Sequence, residues 1–213
     1  MFLFCLLLFP LAFLYYAAPR FAVLKPRLLF SLGAFFAAGI ICAFRGFFMY
    51  RSPYDGEKIL YFFMENVFTY VAFPLLVYLL FLLVSKDDWR TKIESYALFM
   101  IPFYAVYLPS EILANPVPLP FFFLFVKPVL YLVMIVAIGS EVRTLFNVIS
   151  GKGLAVALSA LIVLAELALP PLVETFWHFA FPAPLWAALS AAYVVLCAFR
   201  TKLVFKIRAE LSA

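Results

Sequence analysis

The sequence predicts an all-α, polytopic transmembrane helix bundle of about seven spans, and three observations predict it. Residues 59–85 form an apolar run of 27 residues with a single charge, Glu65, long enough to cross a hydrocarbon core of roughly 30 Å at about 1.5 Å per helical residue. Hydrophobic residues make up 68% of the 213-residue chain and charged residues 13%, against about 45–50% and about 25% in soluble domains. The remaining polar residues fall in short clusters between further apolar runs, so lipid rather than a water-excluded core takes up the apolar surface.

Each segment can be justified in chain order. Residues 1–18 are apolar with no positive charge before them, and Arg20, Lys25 and Arg27 come after; a cleaved signal has the opposite order, so a retained helix with its amino end outside is expected. Residues 28–50 carry the small side chains Gly33, Ala37, Ala38, Gly39 and Ala43, a stripe on which another helix can pack closely, and Arg45 near the far end. Pro53, Asp55 and Gly56 make the next connection a short turn. The third span, residues 59–85, holds Glu65 and Asn66 and is expected to kink at Pro74.

Residues 96–115 are interrupted by Pro102 and Pro109 and contain Glu111; the NPVPLP run after them is a turn. Residues 119–140 open with three phenylalanines and include Lys127 beside Pro128. The stretch 141–153 reads as a partly helical surface linker broken by Gly151 and Gly153. Residues 154–174 contain Glu166 and Pro170-Pro171, and TFWHFAFPAP after them reads as an interfacial loop with Trp177 and His178 at headgroup level. Residues 185–199 form the last span, with a short basic tail after it. If the first or last segment lies only along the interface, the count is six. No internal repeat or soluble domain is visible, so residues 1–213 form one helical domain.

Lysine and arginine distribute unevenly over the connections. Twelve lie after segments one, three, five and seven, whereas only Arg51 and Lys58 lie on the opposite side. That asymmetry places the amino end outside and the carboxyl end in the cytoplasm of a plasma (inner) membrane. It also accounts for the net charge of +5 without nucleic acid as a partner.

With this orientation the ionisable residues inside the spans gather in the outer half: Arg45, Glu65 with its neighbour Asn66, Glu111, Lys127 and Glu166. Each charge facing lipid unpaired near the bilayer centre would cost roughly 2.5–3.5 kcal/mol or more, so they should face one another or a watery cavity. Arg45, Glu65, Asn66, Glu111, Lys127 and Glu166 are therefore the candidate substrate-binding residues of a polar pocket open to the outside. The competing structural reading makes them shallow side chains reaching the headgroups, or ion pairs that lock helices together.

Other chemistry lacks a motif. Cys5, Cys42 and Cys197 have no CxxC or metal spacing and read as packing residues. The single histidine, His178, cannot build a metal site alone, and Ser110, Ser159 and Ser190 have no histidine nearby in sequence. There is no HExxH, paired-aspartate, Walker or dinucleotide pattern, so no catalytic residue, metal or cofactor is assigned. The 28 phenylalanines and 12 tyrosines read as lipid-facing and interfacial side chains.

The expectation is a non-enzymatic membrane subunit that binds or transports a small solute, its partners the lipid bilayer, other membrane subunits or an energising ATPase. The alternatives are an assembly or scaffold subunit, and a small intramembrane enzyme acting on lipid or a lipid-linked substrate.

Overall fold

The computed structural model of the chain describes residues 2–17, 28–44, 59–84, 89–114, 121–148 and 152–212, which contain helices, one turn at 179–182 and no strand. The helices are α1 (Phe2–Ala17), α2 (Leu28–Phe44), α3 (Ile59–Val84), α4 (Trp89–Ala114), α5, α6 (Lys152–His178) and α7 (Ala183–Ser212). Within α3 a π-helical turn, Val67–Ala72, separates the α-helical parts Ile59–Asn66 and Phe73–Val84. Helix α5 begins with a second π-helical turn, Phe122–Val126, and continues as Lys127–Val148. Four of these helices, α3, α4, α5 and α7, contain stretches long and apolar enough to cross a membrane; the apolar stretches of α1 and α2, Leu6–Tyr15 and Ser31–Cys42, are shorter.

Helices α4 and α5 are the centre of the bundle. Helix α4 packs on α1, α2, α3 and α5, and α5 packs on α4, α6 and α7. Leu98, Phe99, Met100 and Ile101 are four successive residues that cover the whole circumference of α4, and all are buried. Accordingly 72% of Ser95–Leu113 is enclosed by protein, against 17% of Ala183–Thr201 in α7. At the periphery, Leu3, Leu7, Leu11 and Leu14 form one exposed stripe along α1, a face suited to lipid.

The small-residue stripe of α2 is used in part. Ala34, Ala37 and Ala38 are buried with Ser31 and Ile41, on the helix that packs most extensively with α4. A Cβ on Gly33 would lie 2.3 Å from Phe81 Cζ, so the α3 ring occupies the space a side chain would need. Gly39 faces open space and takes no part in close packing.

Prolines inside the helices set a specific problem, because each lacks an N–H and leaves the carbonyl four residues earlier without its helical donor. In lipid no water can take that place. Three such carbonyls are instead served by hydroxyls from neighbouring helices. Tyr104 of α4 donates to the carbonyl of Tyr70, orphaned by Pro74. Ser31 Oγ of α2 donates to that of Leu98, orphaned by Pro102, at 2.9 Å. Tyr193 of α7 donates to that of Glu166, orphaned by Pro170, at 3.3 Å. Pro102 and Pro109 both lie inside α4, which is continuous.

Several helices outrun the apolar segments. Helix α5 continues through Val148 into the expected linker, α7 continues into the basic tail, and the aromatic stretch after residue 174 is helical to His178. The end of α6 is fixed by a Schellman cap. Phe181 N–H bonds Phe176 O at 3.0 Å, Ala180 N–H bonds Trp177 O at 3.1 Å, and Ala180 takes the left-handed conformation with φ 53°. The Phe176 and Phe181 rings meet at 4.8 Å, the hydrophobic contact such caps carry. Trp177 is thus not in a loop but half-buried on the helix, stacked on Phe122 of α5 at 4.9 Å with Trp186 of α7 edge-on to the same ring.

Candidate functional site

Four helices bring one polar side chain each to a common point. Lys127 stands at the start of the α-helical part of α5, Glu111 near the end of α4, Glu174 near the end of α6, and Tyr70 within the π-helical turn of α3. Both π-helical turns are local responses to a proline just beyond them, Pro74 and Pro128. Each closes with a bond spanning five residues, Phe73 N–H to Phe68 O and Lys127 N–H to Phe122 O. The extra residue in each turn rotates the rest of the helix about its axis, and the two turns carry or adjoin Tyr70 and Lys127.

The lysine is 1% exposed and its three hydrogens are all used. Nζ donates to Glu111 Oε2 at 2.9 Å, to Glu174 Oε1 at 2.7 Å and to the Tyr70 hydroxyl at 2.5 Å. That hydroxyl in turn donates to Glu111 Oε1. Both oxygens of Glu111 therefore accept, one from an ammonium and one from a phenol, the pattern of an ionised carboxylate. Nζ also lies 3.9 Å from the centroid of the Tyr70 ring and 4.8 Å from that of Phe123.

Around this centre the wall is aromatic. The Tyr70 ring lies 5.1 Å from Tyr107 and 5.3 Å from Tyr131, and Tyr104 lies 5.0 Å from Tyr131. These tyrosines, with Tyr96 and Tyr193, are buried core residues and not lipid-facing filler. Next to Tyr70 on α3, Asn66 and Thr69 are also buried, and Asn66 Nδ2, Thr69 Oγ1 and the Tyr131 hydroxyl have no partner among the described residues. Toward the end of the helices, the Phe122–Trp177–Trp186 stack and a stack of Phe62 on His178 at 4.0 Å close over the same region. His178 keeps an exposed side there, and the desolvation of its ring lowers its pKa from the ordinary histidine value.

A second ion pair lies elsewhere in the bundle. Glu166 of α6 binds Arg200 of α7, which is more exposed than its partner. Glu166 and Glu174 are separated by about 12 Å along α6 and by about 80° around it, since each residue turns the helix by about 100°. They consequently reach different neighbours, α7 and α5.

Of the six residues expected from the sequence, Glu111 and Lys127 are in direct contact, and Asn66 lies one turn from Tyr70 on α3. Glu65 is half-buried and is not among the partners of Lys127, Glu166 belongs to the second pair, and Arg45 falls outside the described residues. Two members of the cluster, Glu174 and Tyr70, lie outside the expected set. Glu174 reads in sequence as the polar end of a segment, although its four-residue spacing from His178 marks one helix face continuing past it. Tyr70 carries no signal beyond its place four residues before a proline. No protein-family model matches the chain, nor does any curated protein or solved structure show significant similarity to it.

Proposed function

We propose that the chain is a seven-span, non-enzymatic subunit of the plasma (inner) membrane, amino end outside, that binds or moves a small cationic solute at the Tyr70–Glu111–Lys127–Glu174 cluster. One observation carries this reading. Two carboxylates, a phenol hydroxyl and two aromatic rings converge on the Lys127 ammonium where four helices meet, three of which, α3, α4 and α5, are apolar enough to span a membrane. Groups that hold one ammonium are the groups a small cationic solute requires. The neighbouring buried Asn66 and Thr69 supply further polar atoms for a solute that carries an oxygen or nitrogen besides its charge. Because α6 and α4 bring their carboxyl-terminal ends to the cluster, the expected orientation sets it toward the outer leaflet. Other membrane subunits or an ATPase would supply energy for movement.

A second reading is favoured by the full use of the lysine's three hydrogens: the cluster is a clasp that locks α3, α4, α5 and α6, and the chain is a scaffold subunit. Thermal unfolding of the detergent-purified protein against alkali cations, ammonium and small primary amines separates the two. Solute binding predicts saturable stabilisation of the wild type by at least one of these cations and none in Glu174→Gln. A folded wild type that responds to no member of the panel, with cluster variants altering only abundance, overturns the solute reading in favour of the clasp.

A further inference from the structure

Resting on the solute-binding reading above, we infer that Asn66 and Thr69 of α3 form a second subsite that takes a neutral oxygen of the solute, so that the chain selects small amines carrying a hydroxyl or carbonyl over plain alkylamines. Both side chains are enclosed, 3% and 2% exposed, and neither Asn66 Nδ2 nor Thr69 Oγ1 has a hydrogen-bond partner among the described residues. A buried polar group left so destabilises the fold, and a ligand that supplies the partner removes that cost. Hydroxyls elsewhere in the bundle serve themselves: Thr175 donates to Pro171 O, Ser190 to Trp186 O and Thr201 to Cys197 O, each the carbonyl four residues earlier in its own helix. Thr69 stands inside the π-helical turn and makes no such bond.

Contacts on either side fix where the pair lies. Asn66 follows Phe62 by one turn and precedes Tyr70 by one turn, and Thr69 adjoins Tyr70. Phe62 stacks on His178 of α6 at 4.0 Å, and Tyr70 accepts from Lys127, which also binds Glu174 of α6. Asn66 is thus set between those two contacts, where α3 packs on α6, on the side of the cluster toward the helix ends at Ile59 and His178. The chemistry of the pair then selects its ligand. Asn66 Nδ2 only donates and Thr69 Oγ1 has a hydrogen to donate, so the pair calls for an acceptor. A protonated amine has no lone pair to offer, whereas an oxygen does. The amide and the hydroxyl carry no charge to balance a carboxylate, which leaves a hydroxyl or a carbonyl. One turn separates Asn66 from Tyr70 by about 6 Å along α3, the span from the nitrogen to the oxygen of an amino alcohol of roughly four carbons.

The test uses the purified full chain in detergent and measures Kd by calorimetric titration for 4-aminobutanol and for pentylamine, in which a methyl group replaces the hydroxyl. The expected result is tighter binding of the amino alcohol by about tenfold, the worth of one or two buried hydrogen bonds. An apolar wall would give the opposite order, since a hydroxyl is harder to desolvate than a methyl group. In the double variant Asn66→Leu with Thr69→Val the preference should vanish or reverse, whereas a merely structural role for the pair would move both Kd values together and keep their ratio. Equal or weaker binding of the amino alcohol by the wild type overturns the subsite while leaving the cation reading intact, as does a preference that survives the double substitution. If neither amine binds, the subsite falls, and the cation reading falls with it unless an alkali cation or ammonium binds. If the double variant does not fold, the wild-type preference and its length dependence decide, with ethanolamine expected to gain less over propylamine than 4-aminobutanol gains over pentylamine.

Discussion

The hydroxyl of Tyr104 on α4 donates to the backbone carbonyl of Tyr70 on α3, the carbonyl that Pro74 deprives of its helical donor. A phenol from one helix thus repairs the backbone of another, in the same turn that delivers the Tyr70 side chain to Lys127. The π-helical turn and the site are one construction.

Removing that phenol should therefore destabilise the bundle. Tyr104→Phe leaves a buried carbonyl without a donor, at a cost of about 1–3 kcal/mol. In a Pro74→Ala background, where the N–H of residue 74 can serve the carbonyl, the same change should cost less. Thermal unfolding of the four proteins in detergent gives the coupling, and strict additivity would count against the repair role.

Lys127→Met leaves Glu111 and Glu174 buried without the ammonium that holds both. The expected loss is about 3–5 kcal/mol, seen as reduced folded yield and earlier unfolding. Adding Glu111→Gln and Glu174→Gln should restore much of it by removing the uncompensated charge. A lysine variant as stable as wild type would show that the cluster is not buried as described.

Ala180 holds the left-handed position of the α6 cap, with φ 53°. An L-residue there carries about 1–2 kcal/mol of steric strain, of which glycine returns about 0.5–1 kcal/mol through the freedom it gives the unfolded chain. Ala180→Gly should stabilise by roughly 0.5–1 kcal/mol on those figures. A lower melting temperature would contradict the cap geometry.

His178 supplies a pH dependence. Its pKa is lowered by burial against Phe62, so the folded chain favours neutral imidazole. Above the ordinary value of about 6.5 both folded and unfolded forms are neutral and the contribution is fully present. As pH falls through that value the unfolded chain takes up the proton first, so stability declines until the folded pKa has been passed and then levels off. His178→Phe keeps an aromatic ring on Phe62 and removes the titration, so its unfolding curve should lack this decline. Melting temperatures between about pH 7.5 and about pH 5 measure the difference.

How much of this is legible in the sequence differs by residue. The run from Ile59 announces a membrane helix because apolarity over that length has few other uses. Lys127 and Glu111 stand out for the same reason inverted, since charge within an apolar run must find a partner. Their partners do not stand out. Glu174 sits beside polar and aromatic residues where a helix end is expected, whereas α6 continues past it to His178, with Trp177 stacked on Phe122. Glu166 looks like a member of the same group by depth, but about 80° of helical rotation gives it to Arg200.

By itself, then, the sequence determined the chemistry of the chain: all helix, apolar enough for lipid, with a few charges that had to be neutralised. It determined this because hydropathy and length are properties of single segments, which hold whatever the neighbours are. Only the tertiary structure decided which charge meets which and which hydroxyl serves which broken carbonyl. Those pairings depend on how each helix is rotated about its axis. Here two π-helical turns set that rotation beside prolines, and packing across four helices selects it.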